Sequence, residues 1–197
     1  MSDDRADFPQ SGRQRRPRKP LTVGEIEDLA LAYVARFTTT AQGLRRYLTR
    51  KLRERGWADE ETQVPTDVAE VLVSRFVSLG YVNDADYARA KTTGLLRRGY
   101  GARRVGAALA AAGVDAEDRT AIAEGEARRA ALRMAIKRGF GPFSADGMPP
   151  TDKAMREKQI AAMLRAGHGM HSARLLVGAT DAAAVRAWAA EPDETDG

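Results

Sequence analysis

Three basic segments that each run into a glycine recur along this chain, and they constrain its fold more than any other feature. They read LRRYLTRKLRERGW from residue 44, ARRVGAALAAAGV from residue 102 and REKQIAAMLRAGH from residue 156. Each combines basic residues at its start with apolar residues three or four positions apart. That spacing predicts an amphipathic helix that buries one face. Recurrence at about 50 residues predicts tandem helical repeats.

The segments between these helices carry further helical signals. Apolar residues follow helical spacing from Ile26 to Phe37, and Pro65 opens a third helix that runs to Gly80. Asn83 is a typical cap for a fourth helix. We predict a short sixth helix from about Asp115 to Glu124, ended by Gly125, and four more helices after it.

No segment has the alternating pattern of a strand, so the predicted fold is all-α: three tandem three-helix repeats stacked into an elongated, curved solenoid. The first twenty residues lack apolar periodicity and combine Pro, Arg, Gln and Asp, which predicts disorder. The predicted divisions are a disordered basic arm at 1–20, helical repeats at 21–81, 82–124 and 125–190, and an acidic tail at 191–197.

The charge is unevenly distributed. The net charge is +5, yet the final seven residues, EPDETDG, include four acidic residues and no basic residue. Residues 21–190 contain 26 Lys and Arg against 20 Asp and Glu. This surplus points to an anionic partner such as nucleic acid, although a solvated arginine-rich surface explains it equally well.

The residues that catalysis requires are scarce, and we expect no enzymatic activity and no cofactor. Cysteine is absent, which excludes disulfides, thiolate metal sites and cysteine nucleophiles. The only histidines, His168 and His171, lie beside glycines without a nearby acidic third ligand, so we interpret them as loop or partner-contact residues. No apolar stretch is long enough for a membrane span, and we expect a cytoplasmic monomer.

A line of arginines on the second helix is the first candidate binding surface. Arg46, Arg50 and Arg53 share a face roughly opposite the apolar stripe, and Arg45 lies beside them. Glu54 is the only acidic residue between positions 41 and 58, so we expect few intrahelical ion pairs. The alternative is an ordinary solvated face.

A second candidate surface surrounds the glycines between the fourth and fifth helices. It combines Arg97 and Arg98 with Arg103 and Arg104, the last two in a first helical turn where the helix dipole disfavours cations. Together with backbone amides at the helix start, these arginines are expected to form an anion-binding concavity. Tyr100 could stack on a base, bind a partner pocket or pack within the junction.

The sequence around this junction resembles the RecX family, bacterial regulators of the RecA recombinase. The resemblance lies in FVSLGYVNDADYARA and RRGYGARRVGAALAAAGV, with LRRYLTRKLRERGW similar to the first repeat's middle helix and ALRMAIKRGF and KQIAAMLRAGH forming a looser third repeat. It covers about residues 22–177. Departures are Ala102 where the family often has proline, Gly94 within the fourth helix, and an alanine-rich fifth helix.

The resemblance implies a non-enzymatic protein of three helical repeats that lies in the groove of a RecA filament on single-stranded DNA. Such binding would inhibit ATP hydrolysis, strand exchange and SOS-related co-protease activity. Two alternatives remain open. One is a helical protein that binds nucleic acid directly without RecA, and the other is a scaffold for a different acidic protein.

Overall fold

The computed structural model describes residues 19–58 and 65–193. Within those ranges the regular structure is helical, with one isolated bridge between Leu21 and Trp57 and no strand. The α-helices are α1 (Val23–Arg36), α2 (Ala41–Arg55), α3 (Pro65–Ser78), α4 (Asp84–Arg97), α5 (Ala102–Ala112), α6 (Glu124–Arg138), α7 (Lys153–Arg165), α8 (Met170–Gly178) and α9 (Ala182–Ala190). The prediction of an all-α fold is confirmed. The predicted arm at 1–20 lies almost wholly outside the described residues, as does most of the acidic tail.

The first three helices surround one hydrophobic cluster. Thr22 and Glu25 form a reciprocal capping box that starts α1. The apolar faces of α1, α2 and α3 then meet, and Leu44 and Leu48 of α2 are fully buried. Val71 of α3 is 62% exposed, because the packed face of this helix is centred on Val68, Leu72 and Phe76.

The second cluster lies between α4, α5 and the first half of α6. The Asn83 side chain accepts a hydrogen bond from the Asp86 amide at the start of α4, as the sequence predicts. Gly113 ends α5 in the left-handed conformation, with φ 82°. Leu95, Val105, Leu109 and Ala130 pack together, so α6 completes this cluster.

The third cluster contains the rest of α6 together with α7, α8 and α9. Ala131, Met134 and Ala135 of α6 contact apolar residues of the three later helices, including Met163 and Leu176. Adjacent residues of α6 therefore belong to different clusters, with Ala130 in the second and Ala131 in the third.

The predicted sixth helix is wrong. Residues 115–123 contain only a single turn, closed by hydrogen bonds from the Asp118 amide to Asp115 and from the Arg119 amide to Ala116. The Arg119 side chain binds the Val114 carbonyl, which holds the segment back against the end of α5. Gly125 does not end a helix but lies in the first turn of α6, because a distant carboxylate caps this helix instead.

That carboxylate belongs to Asp193, which follows α9. Asp193 accepts a hydrogen bond from the Gly125 amide, and α6 has no side-chain cap from its own Ala123. The buried Arg128 side chain donates to the carbonyl oxygens of Glu191 at 2.8 Å and Pro192 at 3.1 Å. The beginning of the acidic tail is thus fastened to the start of α6.

The helices α7, α5 and α2 follow one another end to start. At the α5–α2 joint, the Thr40 hydroxyl donates to the Ala112 carbonyl at 2.7 Å while accepting from the Gly43 amide at 2.9 Å. Arg46 donates to the carbonyls of Ala111 and Ala112, at 3.2 and 3.4 Å. The carbonyl end of α5 is therefore satisfied by residues at the start of α2.

The α7–α5 joint has the same arrangement but uses backbone atoms. The Gly101 amide donates to the Ala166 carbonyl at 2.9 Å, and the Arg103 amide donates to the Gly167 carbonyl at 3.2 Å. Placing the negative end of one helix dipole against the positive end of the next is electrostatically favourable. Both joints thus satisfy exposed helix-end groups and align the dipoles of three helices.

Among the described residues, no helix has the length and apolar character needed to cross a membrane.

Candidate functional site

Several predicted site residues meet beside the α7–α5 joint. The guanidinium carbon of Arg104 lies 4.9 Å from the centre of the Tyr100 ring, and that of Arg98 lies 6.0 Å away. Both distances allow cation–π attraction. Arg98 also donates from Nε to the Gly94 carbonyl at 3.1 Å. Tyr100 is half-buried between these two cations and the helices that flank them.

These residues form one wall of an open cleft of about 680 Å³. The opposite walls come from the end of α6 and from α7. They add four exposed cations that sequence reasoning did not single out: Lys137, Arg138, Lys158 and Arg165. The apolar part of the lining includes Met134, Phe140 and Met155. We call this feature the basic cleft.

The charged side chains that line the basic cleft are all positive. Six of its side chains are Lys or Arg, and no Asp or Glu lines it within the described part of the chain. None of the six forms an ion pair with a described carboxylate. Like charges held close together repel, so this arrangement is unfavourable in the isolated protein and favours a bound anion.

The remaining residues of the predicted cluster lie elsewhere. Arg97 and Arg103 are exposed, but neither lines the basic cleft. Two of the backbone amides at the start of α5 are not available to the anion expected there. The amides of Gly101 and Arg103 already donate to the carbonyls of Ala166 and Gly167 at the joint.

Arg46, Arg50 and Arg53 of α2 are exposed as predicted and Arg45 is half-buried, but most of these arginines have partners. Arg50 lies 3.7 Å from the Glu54 carboxylate, and Arg46 caps α5. Arg45 forms a close ion pair with Glu70 of α3, at 2.5 Å, which sequence spacing gave no means of finding. Arg53 has no ion-pair partner in residues 19–58 and 65–193. Of these four arginines, only Arg50 pairs with a carboxylate of its own helix within the described residues, in agreement with the expectation of few intrahelical ion pairs.

The two histidines have different surroundings. His168 is buried at the α7–α5 joint, where Nε2–H donates to the Gly99 carbonyl at 3.0 Å. Burial lowers the pKa of His168, and the hydrogen bond to Gly99 only partly opposes this shift. His171 is exposed. No cluster of His, Asp and Glu suited to a metal ion occurs in the described ranges.

We expect the free energy of unfolding to fall as the pH drops below 6.5, the ordinary histidine pKa. The unfolded chain takes up a proton there, whereas folded His168 resists protonation until its lowered pKa is reached. Urea unfolding at pH 7.5 and 5.5 measures the effect. A His168→Gln variant should show a weaker pH dependence, and His171→Gln should retain that of the parent. Equal pH dependence in all three proteins would contradict the assignment.

Comparison with known proteins identifies relatives of this chain. Residues 83–121 match the family model described as RecX, second three-helix domain, a span that covers α4, α5 and the turn after α5. A Myxococcus xanthus protein named Regulatory protein RecX is 30% identical over 183 residues, covering 89% of this chain and 97% of the relative. The protein of that name from Stenotrophomonas maltophilia is 32% identical over 174 residues, covering 87% and 93%. A Deinococcus radiodurans protein of the same name is 39% identical over 102 residues, or 52% of this chain and 45% of the relative.

Proposed function

Because the chain belongs to the RecX family, we propose that it regulates RecA by binding the RecA filament on single-stranded DNA. It lies in the helical groove of the filament and lowers recombinase, ATP-hydrolysis and SOS-related co-protease activity. It acts by occupying a surface rather than by catalysis, needs no cofactor, and works as a monomer in the cytoplasm.

The proposed shape for groove binding comes from three successive helical units. We assign them to residues 21–81, 82–124 and 125–190, and each unit supplies most of one hydrophobic cluster, although Val82 joins the first cluster and Ala130 completes the second. The end-to-start joints of α7, α5 and α2 supply a continuous row of helices through all three units. A row of this kind suits an extended contact along a filament.

The observation that carries the proposal is a set of exposed arginines left without carboxylate partners. Arg53, Arg97 and Arg103 are exposed, and none has an ion pair within the described part of the chain. Outside this surface, Arg75 and Arg89 are paired, whereas Arg129 and Arg174 are exposed and have no ion pair with a described carboxylate. Unpaired arginines retain their hydrogen-bonding capacity for phosphate or carboxylate groups of a partner. The wider proposed contact surface consists of Arg45, Arg46, Arg50, Arg53, Arg97, Arg98, Tyr100, Arg103 and Arg104.

The test of this proposal is ATP hydrolysis by RecA of the host bacterium on single-stranded DNA. Adding this protein at less than one molecule per RecA should inhibit hydrolysis, because a groove-bound molecule covers more than one RecA subunit. An Arg53→Glu/Arg103→Glu variant should need roughly ten-fold more protein for half-inhibition, since it places repulsive charge at the proposed contact.

The matched control is Arg129→Glu/Arg174→Glu, which makes the same charge change at exposed positions outside the proposed surface. It should inhibit as the parent does. Circular dichroism must show equal helicity in all three proteins. Absence of inhibition by the parent at equimolar ratio would overturn the proposal.

Direct binding of nucleic acid without RecA is the second candidate function, and the basic cleft favours it. This alternative predicts binding to naked DNA with a strong salt dependence and no effect on RecA. Loss of RecA inhibition together with retained DNA binding would favour it over the first proposal.

A further inference from the structure

The basic cleft differs from the cleft at the equivalent position of the other helix joint. At the α5–α2 joint, a cleft of about 460 Å³ is lined by threonines and tyrosines and by two cations, Arg46 and Arg50. Both are engaged, Arg46 with α5 carbonyls and Arg50 with Glu54. The basic cleft has six cations and no carboxylate in its described lining. The charge is therefore a property of this cleft and not of a helix joint in general.

The lining of the basic cleft also contains flat and apolar groups. The half-buried Tyr100 ring carries the Arg104 guanidinium 4.9 Å from its centre. Phe140 and two methionines complete the apolar surface. Proteins that hold single-stranded nucleic acid combine a positive groove for the backbone with aromatic and arginine groups on which bases stack. The volume of the cleft lies within the range of small-molecule sites and is sufficient for a nucleotide unit.

We propose that the basic cleft binds the phosphodiester backbone of single-stranded nucleic acid, with a base packed against Tyr100 and Arg104. The cations of α6 and α7 contact the phosphates from the opposite wall. The inference rests on the proposed function in one respect: the strand is the one on which the RecA filament assembles. The inference assigns the nucleic-acid contact to the cleft and the protein contacts to arginines outside the cleft, such as Arg53 and Arg103.

The cleft chemistry favours a nucleic acid over an acidic peptide. An extended peptide presents backbone N–H groups that need acceptors, and the side chains lining this cleft are almost entirely donors or apolar. A phosphodiester strand presents only acceptors along its backbone, and its bases supply flat faces for Tyr100 and Arg104. Charge and stacking thus select the same ligand class.

The experiment is fluorescence anisotropy of a labelled oligothymidine with the full-length protein, without RecA, from 50 to 200 mM salt. The cleft variant is Arg104→Gln/Lys158→Gln, which removes one cation from each wall. We expect its affinity to fall at least about ten-fold at 50 mM salt, and the slope of log affinity against log salt to become shallower by about 1.4 for two lost phosphate contacts. Tyr100→Ala should weaken binding about five-fold or more without changing the salt slope.

The matched control is Arg129→Gln/Arg174→Gln, which removes the same charge outside the cleft. It should change the affinity less than three-fold, which separates a local contact from the effect of net charge. Equal losses in the two double variants would overturn the proposal. An oligoglutamate of equal charge that competes as well as unlabelled oligothymidine would also overturn the assignment to nucleic acid. Free thymidine monophosphate should compete only at millimolar concentration, because it supplies a single nucleotide unit. Unlabelled oligothymidine should compete at a far lower concentration.

This experiment is independent of RecA inhibition. Loss of oligonucleotide binding in the cleft variant would support the inference even if the parent protein failed to inhibit RecA. The opposite result is also possible to detect. If the parent protein inhibits RecA but binds oligothymidine no more tightly than the cleft variant, the inference is overturned. The proposed function would still be supported.

Discussion

Replacing Gly167 with alanine is expected to destabilise the protein by about 3 kcal/mol or more, because the change acts on backbone conformation and packing together. Gly167 has φ +95°, a conformation that L side chains rarely adopt. A Cβ atom there would lie 2.4 Å from the Arg104 amide nitrogen and 2.8 Å from the Arg104 Cβ. Relief of this clash requires α7 and α5 to separate, which breaks the hydrogen bonds of the α7–α5 joint. Urea unfolding followed by circular dichroism measures the loss.

Gly106→Ala provides the control within the same helix pair. Gly106 lies inside α5, and an added Cβ would meet nothing within 4 Å. Alanine there should stabilise the protein by about 0.5–1 kcal/mol, since it reduces the conformational freedom of the unfolded chain. If both variants unfolded within about 0.5 kcal/mol of the parent, a joint as close as the one described would be ruled out.

Replacing Arg128 with alanine is expected to cost about 2–4 kcal/mol. The guanidinium is buried between the start of α6 and the residues after α9, where it donates to the carbonyls of Glu191 and Pro192. Alanine leaves those acceptors without donors and releases the segment that presents Asp193 to the Gly125 amide. The free energy of urea unfolding, with fluorescence of Trp188 in α9 as a second probe, measures the effect.

Two further variants make this prediction specific. Arg129→Ala changes the neighbouring exposed arginine and should alter stability by less than about 0.5 kcal/mol. Asp193→Ala removes the long-range cap of α6 and should cost about 1 kcal/mol. Because Arg128 holds the segment that carries Asp193, the double variant should cost less than the two single losses combined. Strict additivity would show that the two residues act separately.

The sequence predicted helix ends correctly where the capping residues lie next to the helix in the sequence. Asn83 and Gly113 bound α4 and α5 as predicted, because capping and left-handed glycine conformations are local properties. Prediction failed at residues 115–125, where the Arg119 side chain binds the Val114 carbonyl and a distant carboxylate caps α6. Asp193 caps α6 from 68 residues away, and no local pattern in the sequence indicates this contact.

For the candidate site, too, the sequence predicted local features and missed contacts between separate helices. Helical spacing correctly placed Arg46, Arg50 and Arg53 on an exposed face, since one turn of helix determines that arrangement. It did not pair Arg45 with Glu70, assign Arg46 to the end of α5, or bring Lys137 and Lys158 beside Arg104. Those relations depend on how separate helices pack, within one unit for Arg45 and Glu70 and between units for the others. Two of the amides expected to bind an anion at the start of α5, those of Gly101 and Arg103, instead donate to the carbonyls that follow α7.

The ends of the three helices in the row are completed in two different ways. The middle helix, α5, depends on neighbouring helices at both ends. It has no side-chain cap at Gly101, and its last carbonyls accept hydrogen bonds from Thr40 and Arg46. The outer ends of the row, at the start of α7 and the end of α2, are capped by residues next to them in sequence. Asp152 caps the start of α7 through the amides of Ala154 and Met155, and Gly56 closes α2. Those two outer ends therefore take their caps from the local sequence, whereas both ends of the central helix are completed only when the chain folds and brings the neighbouring helices into place.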